Sequence, residues 1–169
     1  AAKALTQSRF NTIGVVAPHG EGFFLNEYYS KVLCGVSDFL LDSHYRFKLL
    51  MLKCKEEKWD KYRFHSAEGV DGLMITHWRL FFSDKQVFKK LGIPCVIIGD
   101  PEKEVHAHFV SADQLTGGRL AGEYLWAKGH REMAAMTGGP YSIDSHLRLA
   151  GFQKALREKG VELDTGSIL

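Results

Sequence analysis

The sequence predicts an α/β protein built on a doubly wound parallel sheet, and three observations carry that expectation. Short apolar runs rich in β-branched residues alternate with helix-length segments along the chain. The runs are continuously apolar, as strands are when helices cover both faces of a parallel sheet. The helical segments carry side-chain caps at their starts and glycines at their ends. Right-handed crossovers between such strands give a doubly wound sheet, and ligands of such sheets sit at the carboxyl ends of the strands.

The first run, residues 13–17, is Ile-Gly-Val-Val-Ala, and Pro18 follows it. Asn26 then caps a helix in which Tyr28, Tyr29, Val32, Leu33, Val36, Phe39 and Leu40 recur at three- and four-residue spacing, so one face must be buried. Strands are expected at 47–52 and 72–76, with an amphipathic helical stretch at 59–65 between them. A short helix at 84–90 stops at Leu91-Gly92, before a strand at 95–98. After a strand at 108–111, Asp113 caps a helix over 114–128 that Gly129 terminates. A strand at 133–137 and a helix over 145–159, closed by Gly160, come next. Residues 161–169 read as the start of a further element. The strand ends lie at 17–24, 76–79, 99–101 and 138–144, where a ligand site is expected.

At 169 residues the chain fits one domain or two small lobes. Its 45% hydrophobic and 25% charged residues are those of an ordinary globular protein, and a net charge of +2 makes no case for nucleic acid by itself. Lys48, Lys53, Lys55, Lys58 and Lys61 form the densest basic group, but Glu56, Glu57 and Asp60 interrupt it, which reads as a solvated face. Cys34, Cys54 and Cys95 cannot all pair, and no CxxC spacing occurs. Cys34 and Cys95 fall in apolar stretches, where a buried reduced thiol acts as a small hydrophobe. The sequence carries no signal-peptide pattern and no apolar run of membrane-spanning length, so a cytoplasmic location away from any membrane is expected.

Catalysis finds little support. There is no G-x-S-x-G elbow, and no histidine stands in a recognisable relation to a serine and a carboxylate. No catalytic residue is assigned and no cofactor is expected. His106 and His108 would share one strand face, but no acidic or cysteine ligand lies at metal spacing, so they read as surface histidines. The glycine-rich stretch 19–23 lacks G-x-G-x-x-G and a Walker lysine and reads as a loop over a cleft mouth. A phospho-receiver would need acidic residues after strand one and an aspartate ending strand three; this chain has Ala17-Pro18 and Thr76-His77. A small-molecule pocket fares better. Tyr28, Tyr29 and Trp78 are aromatics near strand ends, suited to sugar C–H faces or nucleobase planes. The two tyrosines fit a core face equally well. Arg148, near a helix start, offers a fork of donors for ligand oxygens, although spacing alone favours a surface salt bridge.

The most specific block is Phe109-Val-Ser-Ala-Asp-Gln-Leu-Thr-Gly-Gly-Arg-Leu-Ala-Gly-Glu-Tyr-Leu125, with Gly129-His130-Arg131, Gly138 and Arg148-Leu-Ala-Gly-Phe152. Asn11-Thr-Ile-Gly-Val-Val16, Asn26-Glu-Tyr-Tyr29, Val70-Asp-Gly-Leu-Met-Ile75 and Ile93-Pro-Cys-Val-Ile-Ile-Gly99 precede it. In this order and spacing the motifs resemble the effector-binding core of the LacI/GalR family of transcription regulators, over almost the whole chain. The resemblance implies Rossmann-like lobes of the periplasmic-binding-protein type. Residues 1–10 would be a remnant of hinge helix and linker, 11–111 the N-terminal lobe, and 112–169 the first part of a C-terminal lobe.

The same resemblance implies a homodimeric sensor that catalyses nothing. Its effector would be a sugar or sugar phosphate, or else a purine, held in the cleft between lobes. Operator DNA would be bound through a headpiece absent from this sequence. Tyr28 and Tyr29 fall where the family places effector-lining aromatics, Arg148 on its effector-contacting arginine, and Asp144 on a cleft-lining position. His77 and Trp78 follow strand three at the cleft rim, and Leu5 aligns with the hinge leucine that wedges into the operator minor groove. The chain departs from the family at Gly99, where members carry an acid, and in a longer loop at 18–25. A periplasmic solute-binding protein of the same fold is the rival reading, and a flavodoxin-like reductase a third.

Overall fold

The computed structural model describes residues 9–20, 22–54, 64–82, 84–101, 105–138 and 142–169. Leu5 and most of the helical stretch expected at 59–65 lie outside the described residues. The chain forms two compact units, Ala1–Val110 and Ser111–Leu169.

The first unit is a five-stranded sheet of β1 (Thr12–Pro18), β2 (Arg46–Leu52), β3 (Gly72–Thr76), β4 (Cys95–Ile98) and β5 (His108–Val110). Every pairing is parallel and the order is β2-β1-β3-β4-β5. The winding therefore reverses between β1 and β3, whose carboxyl ends flank a topological switch point. Val15 of β1 stands level with Leu49 of β2 and Met74 of β3. Gly14 has no side chain for a packing reason. A Cβ there would lie 2.8 Å from a Leu73 methyl and 2.9 Å from one of Leu50.

One apolar cluster joins Val16, Ile75 and Ile97 of the sheet to Phe64, Trp78, Phe81 and Val87. A smaller one gathers Ala17, Phe23 and Tyr29, with Leu33, Leu49 and Met51 packed against it. Helix α1 (Glu27–Leu40) starts where expected, with the Asn26 side-chain oxygen accepting from the Tyr28 amide at 2.9 Å. Its apolar stripe is only partly used. Tyr29 and Val36 are buried, Phe39 is 84% exposed, and Cys34 is exposed, not buried as its stripe suggested. Periodicity marks which residues share a face; it does not say how much of that face a neighbour covers. The short helix Val87–Lys90 begins later than its sequence suggests, because the Asp84 carboxylate accepts from the Gln86 amide and holds a turn there.

The second unit is built on α2 (Gln114–Ala127) and α3 (Ile143–Arg157). Asp113 caps α2 through the Thr116 amide at 3.0 Å. Ser142 caps α3 through the Ser145 amide, which starts this helix two residues earlier than expected. The two helices cross at glycines. A Cβ on Gly118 would fall on the Arg148 carbonyl, and one on Gly151 on the Leu115 carbonyl. The strand expected at 133–137 is a parallel bridge, Ala135 to Ile168, hydrogen-bonded on both sides by the chain's last residues. Among the described residues no helix is long and apolar enough to cross a membrane.

Candidate functional site

In the first unit, four rings gather beside the carboxyl ends of β1 and β3. Phe23 lies 4.6 Å from Tyr29, Tyr28 packs edge-on to Tyr29 at 5.4 Å, and His77 lies 5.7 Å from Tyr29. The Tyr29 hydroxyl and His77 Nδ1 are hydrogen-bonded at 3.0 Å. The hydroxyl can donate to a neutral imidazole or accept from a protonated one. Burial of Tyr29, reinforced by the nearby Tyr28 and Cys54, holds its phenol above the usual value of 10.0. The two tyrosines thus divide the alternatives left open by the sequence: Tyr29 is packed, while Tyr28 remains 45% exposed.

His77 ends β3 in the left-handed region, at φ 48° and ψ 53°, and opens the turn Trp78–Leu80. That conformation is sterically costly for any residue with a Cβ, and it is tolerated where the surroundings hold it in place. The reversal also sends the next side chain inward. Trp78, expected at a rim beside His77, is 4% exposed and packs edge-on to Phe88 at 5.6 Å in the core. Phe23 was missed by sequence reasoning; its signal is the Phe-Phe-Leu run after the glycine loop. Gly99, where a family-like chain would carry an acid, has φ 117°, a conformation that an L side chain rarely adopts.

In the second unit, Arg148 rises from the first turns of α3. Its Nη1 donates to Gln114 Oε1 at 2.6 Å and its Nη2 to Ser145 Oγ at 3.5 Å. Among the described residues it has no carboxylate partner, and the salt bridge that spacing favoured is not found there. Ser145 Oγ also accepts from the Gly138 amide at 3.0 Å, tying the loop after the Ala135 bridge to the helix start. Asp144 lies four residues before Arg148, on the same side of α3. Its Oδ1 is buried and has no hydrogen-bond partner among the described residues. Gln114 was not singled out as a site residue from sequence, because a side-chain bond across 34 residues leaves no periodic trace, and Ser145 served there only to mark a helix start. Among the described residues no three metal-ligating side chains converge, and His106 and His108 are exposed.

Comparison with known proteins gives a consistent set of likenesses. The family model for periplasmic binding proteins and the sugar-binding domain of the LacI family matches residues 11–169. The HTH-type transcriptional regulator CelR of Thermobifida fusca is 27% identical over 97% of this chain, and the ribose operon repressor of Escherichia coli K12 is 23% identical over 98%. The chain spans about half the length of these relatives, 49% of each. A solved complex of the regulator CelR with cellobiose superposes with a TM-score of 0.81 at 26% identity, covering 95% of this chain and 50% of that one. A LacI-family regulator from Enterococcus faecium with bound ribose gives 0.73 at 26% identity, covering 94% and 56%.

Proposed function

The chain belongs to the family of periplasmic binding proteins and LacI-type sugar-binding domains, and on that premise we propose that it is the effector-sensing part of a LacI-type transcription regulator. The effector is a sugar or sugar phosphate. The observation that carries this reading is the pair Asp144 and Arg148, a buried acceptor with no partner among the described residues, four residues from a fork of cationic donors. An unsatisfied buried carboxylate oxygen is costly unless a ligand donates to it. A sugar supplies hydroxyls that both donate to Asp144 and accept from Arg148. In the first unit, taken by itself, Tyr28 presents an exposed ring of the kind that suits a sugar C–H face, with the Tyr29–His77 pair as a polar edge beside it.

The regulators of cellobiose- and ribose-associated name among the relatives support sugar over purine and a regulator over a transport protein. No bond is made or broken. Effector binding shifts the population of lobe arrangements in a homodimer, and that shift alters how a DNA-binding headpiece engages its operator.

A thermal-shift screen on the complete regulator with sugars, sugar phosphates and purines tests the reading. A true effector at a hundredfold excess over its Kd adds about 2.7 kcal/mol of apparent stability. Stabilisation by purines alone would overturn the sugar assignment, and stabilisation by none of the three classes would overturn the sensor itself.

A further inference from the structure

The effector reading gives Arg148 a task, and the second unit contains a residue that fits it for that task. The Arg148 side chain is exposed, with four rotatable bonds and many rotamers in reach. Its backbone, by contrast, is fixed. Gly118 leaves room for the Arg148 carbonyl on α2, and Gly151 leaves room for the Leu115 carbonyl on α3. With the helices locked at this distance, Gln114 Oε1 reaches Arg148 Nη1 at 2.6 Å. The contact to Ser145 Oγ, at 3.5 Å, is at the outer limit of a hydrogen bond. Gln114 is therefore the principal tether of the guanidinium.

We propose that Gln114 is a positioning residue for effector binding, which holds Arg148 in its binding rotamer before the ligand arrives. The inference rests on Arg148 being an effector ligand. The chemistry of the tether matters as well as its reach. An amide oxygen accepts from the guanidinium without neutralising it, so the full positive charge is kept for ligand oxygens. A carboxylate at 114 would hold the same rotamer and compensate that charge. Asparagine would be one methylene short across a gap the glycines have set. Gln114 is also the first residue of α2, directly after its cap Asp113.

The test uses the complete regulator with Gln114→Ala, Gln114→Asn, Gln114→Glu and Arg148→Ala, alone and in combination. Circular dichroism serves as the folding control. Without ligand, nitrogen-15 relaxation of the Arg148 Nε–H reads the tether directly. It is expected to be ordered in the parent and in Gln114→Glu, and mobile in Gln114→Ala and Gln114→Asn. Unchanged order in Gln114→Ala would overturn the inference whatever the ligand does.

With D-ribose and cellobiose as calorimetric probes, Gln114→Ala is expected to weaken the tighter binder by about three- to tenfold, and to add no loss in the Arg148→Ala background. Additive losses would overturn the positioning role and leave the effector reading standing. An Arg148→Ala variant that binds like the parent would remove the effector reading, and the positioning role with it.

Discussion

Arg148 joins a fixed backbone to a tethered but exposed guanidinium, and both properties bear on what its replacement does. On the proposed effector role, Arg148→Ala would remove a charge-assisted hydrogen bond to the ligand, worth about 1.5–3 kcal/mol, so effector affinity is expected to fall roughly ten- to a hundredfold. The fold is expected to survive, because the helix crossing beneath is made by backbone and glycine. Arg148→Lys is expected to restore little, since an ammonium cannot reproduce the two-pronged geometry. Calorimetry on both variants measures the loss, and an unchanged alanine variant would remove Arg148 from the site. Tyr29 yields a prediction in pH. Its folded-state phenol lies above the ordinary 10.0, so its contribution to stability is complete below that value and is lost as pH rises through the folded-state value. Ultraviolet titration is expected to show a late tyrosine ionisation that disappears in Tyr29→Phe, and loss of the early component instead would contradict it.

Helices α2 and α3 make a sharp contrast between neighbouring glycines. Gly118→Ala and Gly151→Ala would each drive a methyl into a backbone carbonyl, and overpacking of that kind costs about 1–3 kcal/mol. Gly117, one residue away, has open space at its Cβ position, so Gly117→Ala is expected to stabilise by about 0.5–1 kcal/mol through helix propensity. Urea denaturation of the three variants reads both signs, and equal shifts would refute the crossing. These elements also show what a sequence discloses. The Asn26 and Asp113 caps, β3 and β4 were legible because caps and strand runs are local signals. The reduced strand at 133–137 was not, since its apolar residues report burial potential but not whether a full neighbouring strand is at hand. The resemblance named Tyr28, Asp144 and Arg148, whose part in effector binding is a proposal. The burial of Trp78 was not legible, because the left-handed turn at His77 that turns it inward has no glycine to announce it.

The two units differ in how they are held together. Both apolar clusters among the described residues lie in the first unit, whereas the second relies on a close helix crossing with Phe152, Ala155 and Leu156 buried. Native-state hydrogen exchange of the 169-residue chain is expected to show amides of α3 opening at lower free energy than those of β1 and β3. Equal protection would mean that the chain unfolds as one cooperative body. The strand order has a further consequence for how the protein is made. Of the five strands β1 is synthesised first, yet it is paired on both sides, and its partners lie at 46–52 and 72–76. At ~5–20 residues per second, roughly 3–12 s pass between synthesis of β1 and of β3. During that interval Val15, Val16 and Ala17 have no complete sheet to enter. The apolar segment of β1 thus waits unpaired while its partners are made, whereas α2 and α3, close in sequence, can find each other soon after both have emerged.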